Sequence, residues 1–240
     1  MGVTGRKCVS MKRIAILQSN YIPWKGYFDI IKAVDEFVIY DEAQYTRRDW
    51  RNRNLIKTKN GLLWLTIPVK VKYKDMQKII ETRITDNYWE EKHFESIRHN
   101  YKKAPFFESY AVIFEKVYTE CAKINLLSYV NRLFIQTVCD ILDIKTRITD
   151  TSSYEFYGTA SEKIVGICKQ AGADTYLTGP AAKRYLDITV FNAAGIKINW
   201  ADYSDYPEYK QLFPPFEHRV SILDLIFNEG FDSLSYMKCF

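Results

Sequence analysis

Residues 14–40 hold the pattern that most restricts the fold of this chain, a strand, a helix and a second strand in close succession. Residues 14–18 form a short apolar run typical of a buried strand, and the apolar positions of 27–34 recur with helical spacing. Residues 37–40 are a second apolar run, which ends at Asp41. Strands joined in this way pair in parallel through a right-handed crossover. The pattern therefore predicts an α/β protein with a Rossmann-like parallel sheet and flanking helices.

The last third of the chain returns to the same alternation. The predicted elements are a helix over 161–171 that ends at Gly172, a strand over 175–178, a helix opening at Gly179-Pro180, a strand over 196–200 and a last helix from Ser221 to Gly230. We expect the two α/β segments to build one sheet.

A basic stretch and a helical stretch separate these segments. Residues 41–60 lack periodicity and predict a loop, the most basic window of the chain. Strands are predicted over 62–69 and 79–84, and the pattern from 88 to 141 is helical with a break at Ala104-Pro105. The predicted organisation is a disordered leader over 1–11, the N-terminal part of the α/β domain with the basic loop over 12–87, a helical insert or subdomain over 88–145, and the C-terminal part of the α/β domain over 146–240.

Composition and charge exclude several classes of protein. Hydrophobic residues make up 47% and charged residues 26% of the chain, as in an ordinary globular protein and unlike a disordered one. No apolar stretch approaches the roughly 18 residues that cross a bilayer, and residues 1–10 lack the apolar segment of a signal sequence. We therefore expect a cytoplasmic protein without a transmembrane segment. The net charge of +5 is too mild to identify a nucleic-acid-binding protein.

The cysteines and histidines lack the spacing of a metal site. The five cysteines are scattered singly and predict reduced, mostly buried thiols. His93 and His99 fall on opposite faces of a predicted helix, and a lone loop histidine such as His218 is usually structural. No tightly bound metal is predicted.

The first candidate site is the turn between the first strand and the first helix. Ligands of parallel sheets bind at the carboxyl ends of the strands, and a helix N-terminus favours phosphate. The binding residues expected in this turn are Gln18, Asn20, Tyr21, Trp24, Lys25 and Gly26. The alternative is an aromatic-rich packed turn without a ligand.

The second candidate site is the basic loop after the second strand. Arginine binds phosphate or carboxylate through two parallel hydrogen bonds, and Trp50 or Tyr45 would stack a base or a sugar. The residues expected to bind a nucleotide or a sugar pyrophosphate are Gln44, Tyr45, Arg47, Arg48, Asn52 and Arg53, with Arg51 as a catalytic residue that stabilises charge. The alternatives are a solvated basic loop and a surface that contacts RNA.

Asp41, at the end of the second strand, is the expected catalytic carboxylate. It would position an amine or a Mg²⁺ ion held by substrate phosphates. Asp202 and Asp205, beyond the strand over 196–200, are weaker candidates for this role.

The third candidate site follows the strand over 175–178, where Thr178-Gly179 ends a strand and opens a helix. The binding residues expected here are Thr178, Gly179, Lys183 and Tyr185. The alternative is a tight turn with ordinary surface cations. All three loops would face one cleft if the first strand and this strand are neighbours, which the sequence leaves open.

Several unusual motifs occur in order along residues 12–230. They are QSNYIPWKGYFDII, DEFVIYDEAQYTRRDWRNRNLIKT, WLTIPV, GADTYLTGPAAKRYLD and GIKINWADY. Together they resemble the WbqC-like family. The resemblance implies a role in bacterial surface-polysaccharide biosynthesis, where a glycine transferase acting on an O-antigen sugar of lipopolysaccharide has been suggested for the family.

A second, more distant resemblance covers residues 20–31. This stretch is similar to the HxGH loop and helix of the nucleotidyltransferase superfamily, which includes pantothenate synthetase. Alignment on Gly26 puts Trp24 and Tyr27 at the two histidine positions, which is a departure from the pattern. The resemblance implies that ATP and Mg²⁺ take part, that a carboxylate is activated as an acyl-adenylate, and that Tyr27 acts as a catalytic donor to phosphate.

These inferences predict a transferase or ligase that attaches an amino acid, with glycine as the first candidate, to a sugar of a surface glycan. The enzyme would be an aminoacyl transferase or an ATP-dependent amide or ester ligase. A protein that binds a nucleotide-sugar or sugar pyrophosphate without catalysis is one alternative, and an RNA-binding protein is the other.

Overall fold

Five parallel strands form the central sheet of the protein. The structure is a computed structural model that describes residues 11–71, 76–86, 88–238 and 240. The strands are β1 (Arg13–Leu17), β2 (Glu36–Ile39), β3 (Arg53–Thr58), β4 (Gly61–Thr66), β5 (Arg147–Asp150), β6 (Thr175–Thr178) and β7 (Lys197–Trp200). The sheet has the order β5-β2-β1-β6-β7, with every pairing parallel. The predicted Rossmann-like α/β fold is confirmed.

The strand order puts β1 at the centre, where the direction of the chain across the sheet reverses. From β1 the chain passes through α1 (Lys25–Lys32) to β2 on one side, whereas β6 and β7 lie on the other side. Loops that leave a sheet in opposite directions at such a reversal open a crevice at the carboxyl ends of the strands. β1 and β6 are therefore neighbours at the point where a ligand site is expected.

Both faces of this sheet are buried. Ala15 and Phe37 pack with α1 on one face, and Ile14 and Tyr176 pack on the other face. The second face is covered by α5 (Ala160–Gln170) and α6 (Ile188–Ala193). Burial on two faces is typical of parallel sheets.

The segment predicted as helical contains α2 (Trp89–Tyr101), α3 (Phe107–Cys121) and α4 (Leu127–Ile141). The predicted break at Ala104-Pro105 lies between α2 and α3. The last helix, α7 (Ile222–Glu229), begins after Ser221, whose hydroxyl accepts a hydrogen bond from the Leu223 N–H, and ends before Gly230, as predicted. Apolar side chains of these four helices share one buried cluster with α1.

Two predictions for the segment between β2 and α2 are wrong. Arg53–Thr58 is a strand paired antiparallel with β4, although residues 41–60 predicted a loop. Ile79–Glu81 is a single 3-10 turn, although residues 79–84 predicted a strand. The strand β3 is hidden by its charged ends, and a short apolar run does not distinguish a strand from a turn.

The three cysteines within the described ranges are buried free thiols, as predicted. They are Cys121, Cys139 and Cys168, and burial raises the pKa of each to about 12. Cys8, Cys239 and residues 1–10 of the predicted leader lie outside the described residues. Among the residues described, every helix is too short or too polar to cross a membrane.

Candidate active site

A cleft of about 690 Å³ opens at the carboxyl edge of the sheet, beside the reversal of strand order. Its wall combines residues at the ends of β1, β2 and β6 with the first turn of α5. The predicted site residues that line it are Gln18, Asn20, Trp24, Tyr27, Arg51, Thr178, Gly179 and Tyr185. All three candidate loops therefore contribute to one cleft.

Arg51 supplies the charge of this wall. Among the lining residues that the structure describes, it is the only one ionised at neutral pH. Its guanidinium donates a hydrogen bond to Asn20 Oδ1, and its Nη2 lies 3.6 Å from Asp49 Oδ2. A guanidinium held on two sides keeps further donors for a ligand, and its planar donor set suits a phosphate or a carboxylate.

Asp41 holds the loop that follows β1. Its Oδ1 accepts a hydrogen bond from the Ser19 N–H at 2.9 Å, and its Oδ2 accepts from the hydroxyls of Ser19, at 2.7 Å, and Ser128. Asp41 is only 3% exposed and does not line the cleft. The structure thus places the expected catalytic carboxylate behind the loop, where it orders the backbone next to Gln18 and Asn20.

Asn131 of α4 joins this loop to the basic segment. Its Nδ2 donates to Ser19 Oγ at 3.0 Å and to the backbone oxygen of Arg51 at 2.9 Å. We call Asp41, Ser19, Ser128 and Asn131 the cleft hub. Through it, a helix outside the sheet fixes the distance between the loop after β1 and the arginine of the cleft.

Trp24 occupies space at the start of α1 that a glycine at position 26 leaves open. A Cβ on Gly26 would lie 2.4 Å from the indole ring. The indole also contacts Tyr203 and Tyr206 edge to face, with centroid distances of 5.1 and 5.5 Å. At one of the two positions where the HxGH loop has histidine, the chain therefore places a packed aromatic wall.

Tyr27 stands at the other histidine position. Its hydroxyl donates a hydrogen bond to the backbone oxygen of Gln18 at 3.0 Å. Burial raises the pKa of Tyr27 well above 10, although the Arg51 charge opposes the shift. The phenol is therefore a neutral donor that is already engaged by its own chain.

The turn after β6 forms the opposite wall. Gly179 leaves room for Tyr203, whose hydroxyl oxygen lies 3.1 Å from the position that a Cβ would take. Pro180–Arg184 is one 3-10 turn. Tyr185 is 60% exposed at the rim, whereas Lys183 lies outside the wall with its Nζ 5.3 Å from the centre of the Trp200 ring.

The other arginines of the basic segment diverge from Arg51. Arg47 donates a hydrogen bond to the backbone oxygen of Val71 at 2.9 Å. The Arg53 guanidinium lies 4.1 Å from the centre of the Trp64 ring and donates to the backbone oxygen of Arg48. One arginine, rather than a cluster of four, therefore faces the cleft within the described structure.

Further predicted binding residues are packed around the cleft rather than in its wall. The Tyr21 hydroxyl is buried 2.8 Å from His93 Nδ1 and 2.6 Å from the Tyr118 hydroxyl. Lys25 Nζ donates to the backbone oxygen of Pro207 at 3.0 Å, and burial lowers the pKa of this lysine to about 8.

The last three predicted residues belong to the polar framework of the basic segment. Asn52 is buried and donates to the Ile67 backbone oxygen at 2.8 Å. Tyr45 is also buried, and this burial raises the pKa of its phenol to about 12. Gln44 is exposed and forms a backbone bridge with Lys78.

The wall also contains Trp50, which is expected to stack a base or a sugar, and Tyr40 and Tyr203, which the sequence did not indicate. Tyr40 and Tyr203 closely follow β2 and β7, so the rule that ligands bind at the carboxyl ends of strands would have found them. The contribution of α4 to the cleft hub has no such signal, because only tertiary packing brings Ser128 and Asn131 to Asp41.

The described wall does not fit a protein-held Mg²⁺ ion. It contains no carboxylate and no histidine, and the two oxygens of Asp41 accept hydrogen bonds from serine. Within the described residues, no group of three metal-ligating side chains occurs anywhere. A Mg²⁺ ion in this cleft would therefore depend on oxygen ligands from the substrate.

Comparison with known proteins gives two matches to this chain. The model of the WbqC-like protein family matches residues 18–236. An uncharacterized protein of Mycobacterium tuberculosis, Rv1507c, is 46% identical over 228 residues, which is 95% of this chain and 98% of the relative. No solved structure matches the chain.

Proposed function

The chain belongs to the WbqC-like protein family, and from this premise we propose that it is a transferase or ligase that attaches an amino acid to a sugar of a bacterial surface glycan. Glycine is the first candidate for the amino acid. The cleft beside the strand reversal would bind the phosphates of ATP and the carboxylate that is activated.

The chemistry of the cleft wall carries this proposal. Arg51 is its only ionised residue among those described, and no carboxylate, histidine or thiol is present to act as a base. An amino-acid carboxylate is already an anion and needs no base to attack phosphorus. The charge on the phosphates does need stabilisation, which a positioned guanidinium supplies.

The proposed reaction has two steps. The carboxylate oxygen bonds to the α-phosphorus of ATP, the bond from that phosphorus to the bridging oxygen breaks, and pyrophosphate leaves. A hydroxyl or amino group of the sugar then bonds to the acyl carbon, AMP leaves, and the proton of the nucleophile passes to solvent. Arg51, fixed by Asn20 and Asp49, would hold the phosphate charge during the first step.

Exchange of labelled pyrophosphate into ATP, driven by one amino acid at a time, tests the first step directly. We expect exchange with one amino acid and none without an amino acid. Arg51→Ala should lower the exchange rate by about 100-fold, as removal of a charge-stabilising donor commonly does. Absence of exchange with every amino acid, with and without sugar phosphates, would contradict carboxylate activation.

Arg47→Ala is the matched control. Arg47 is exposed, and its contact is the Val71 backbone rather than the cleft. Both variants should unfold at the same temperature as the parent chain, since neither arginine lies in the apolar core. A large loss of thermal stability in Arg51→Ala would instead assign Arg51 a structural role.

A binding protein for a nucleotide-sugar or sugar pyrophosphate is the second candidate. The same feature favours it, because a wall without acid or base groups also suits a ligand that is held and not transformed. Binding of a nucleotide-sugar that depends on Arg51, together with no exchange for any amino acid, would support this function over the first.

A further inference from the structure

A second cavity of about 330 Å³ adjoins the cleft. It is lined by Asn20, Pro23, Trp24, Trp50, Asn54 and Arg219. Three of these residues, Asn20, Trp24 and Trp50, also line the cleft. The two compartments therefore share a wall, and a group bound in one lies next to a group bound in the other.

The shared wall is aromatic. Trp24 is held by its contacts with Tyr203 and Tyr206, and Trp50 is 39% exposed with its ring 5.4 Å from that of Trp64. Indole faces bind either a flat base or the C–H face of a sugar ring. The polar groups of the cavity decide between these ligands.

The amide oxygens that line the second cavity are already engaged. Asn54 Oδ1 accepts from the Leu55 N–H at 2.7 Å, and its Nδ2 donates to the backbone oxygens of Tyr21 and Ile22. Asn20 Oδ1 accepts from Arg51. A nucleobase such as adenine needs an acceptor for its amino group, and each of these two amide oxygens already accepts one hydrogen bond from the protein.

The groups that remain are donors. Asn20 Nδ2 donates to no described residue. Among the described residues, the Arg219 guanidinium donates only to Glu217 Oε1, from its Nε at 3.3 Å, so its two terminal nitrogens keep their donors. Sugar hydroxyls and phosphate oxygens are acceptors, and an arginine fork matches a phosphate.

We propose that the second cavity binds the ring of a glycosyl phosphate, stacked on the shared indole wall, with a ring hydroxyl at Asn20 and the phosphate at Arg219. The assignment rests on the proposed function, for which this sugar is the acceptor. Asn20 then links the two compartments, since its oxygen fixes Arg51 and its nitrogen faces the sugar.

Calorimetric titration of the full chain tests the assignment. The probes are glucose 1-phosphate, N-acetylglucosamine 1-phosphate, methyl glucoside, inorganic phosphate and adenosine. We expect at least one sugar phosphate to bind at least tenfold more tightly than methyl glucoside and than inorganic phosphate. Arg219→Ala should remove most of the advantage over methyl glucoside, and Arg219→Lys should restore part of it.

A control variant separates this cavity from the rest of the surface. Arg147→Ala removes an exposed arginine in the edge strand β5. It should not alter the affinity for the sugar phosphate by more than about twofold, because Arg147 does not line the second cavity.

Three results would overturn the proposal. They are the absence of binding by both sugar phosphates, equal affinities for sugar phosphate and inorganic phosphate, and adenosine binding that Trp50→Ala abolishes. The titration needs no ATP, so its outcome is independent of the exchange assay. If a sugar phosphate binds but no amino acid supports exchange, amino-acid activation is rejected and this site is retained. If exchange occurs but no sugar phosphate binds, this site is rejected and amino-acid activation is retained.

Discussion

Two buried carboxylates organise different parts of this protein in different ways. Asp41, in the cleft hub, accepts hydrogen bonds from two serine hydroxyls and one backbone N–H. Asp224 of α7 instead accepts from the hydroxyls of Tyr101 and Tyr209, each at 2.8 Å, and from Gln211 Nε2 at 2.9 Å. We call Asp224, Tyr101, Tyr209 and Gln211 the C-terminal hub.

The donors decide what each hub stabilises. In the cleft hub they are short side chains of a loop and of α4, so the carboxylate orders a few residues beside a ligand site. In the C-terminal hub they are large side chains of the core and of the segment before α7, and burial raises the pKa of Asp224. The first hub should therefore control local geometry, and the second should control global stability.

Removal of the second carboxylate should have the largest effect. Asp224→Ala leaves two buried tyrosine hydroxyls and a glutamine without their acceptor, which should lower the free energy of unfolding by about 3 to 5 kcal/mol. Urea unfolding followed by circular dichroism measures this loss. Asp224→Asn should cost less, because the amide oxygen still accepts, and a loss below about 1 kcal/mol in Asp224→Ala would refute the role of the hub.

Two buried groups make the stability of the protein depend on pH in opposite directions. Burial lowers the pKa of His93, which contacts Tyr21 below the cleft, from 6.5 to about 4. Between these values the unfolded chain binds a proton that the folded chain excludes, so stability falls by about 3 kcal/mol as the pH drops from 6.5 to 4.

Asp29, which accepts a hydrogen bond from Tyr206 on the C-terminal side, works in the opposite direction. Burial raises its pKa from 3.8 to about 6. The folded chain therefore binds a proton that the unfolded chain lacks, and stability rises by about 2 kcal/mol as the pH drops from 6 to 4.

The two effects oppose each other between pH 6.5 and 4. Relative to the parent chain, His93→Gln should gain stability toward pH 4 and Asp29→Asn should lose it. Urea titrations at five pH values measure the slopes. Parallel profiles for both variants would contradict the opposing shifts.

The smallest stability effect is expected at the cleft hub. Asp41→Asn should lower the free energy of unfolding by about 1 to 2 kcal/mol, since the amide retains one acceptor for the loop. The same variant should raise the KM for ATP in ATP–pyrophosphate exchange, because Asn20 and Arg51 lose their fixed separation. Ser128→Ala should give the same pattern more weakly, and an unchanged KM in Asp41→Asn would show that the hub does not position the cleft.

Local patterns predicted the sheet well and the cleft only in part. The apolar runs that became β1, β2 and β6 are buried on both faces, so hydrophobicity alone marks them. Strand β3 escaped detection because Arg53 packs on Trp64 and Lys57 is buried against the segment before α7, which are uses of charged side chains that no period reveals.

The direction in which each arginine side chain points could not be predicted either, because it depends on contacts that leave no periodic pattern in the sequence. Arg47, Arg51 and Arg53 are separated by only a few residues, yet one binds the Val71 backbone, one faces the cleft and one stacks on Trp64. The pairing of β3 with β4 and the hydrogen bonds from Asn131 set these directions, and both depend on residues distant in sequence.

Gly26 determines where the wall between the cleft and the second cavity can stand. The indole of Trp24 stands where any larger residue at position 26 would place its first side-chain carbon. The indole wall between the cleft and the second cavity therefore owes its location to a missing methyl group in the first turn of α1. A chain with alanine at this position would have to rotate the indole away, and the capacities of both chambers would change together.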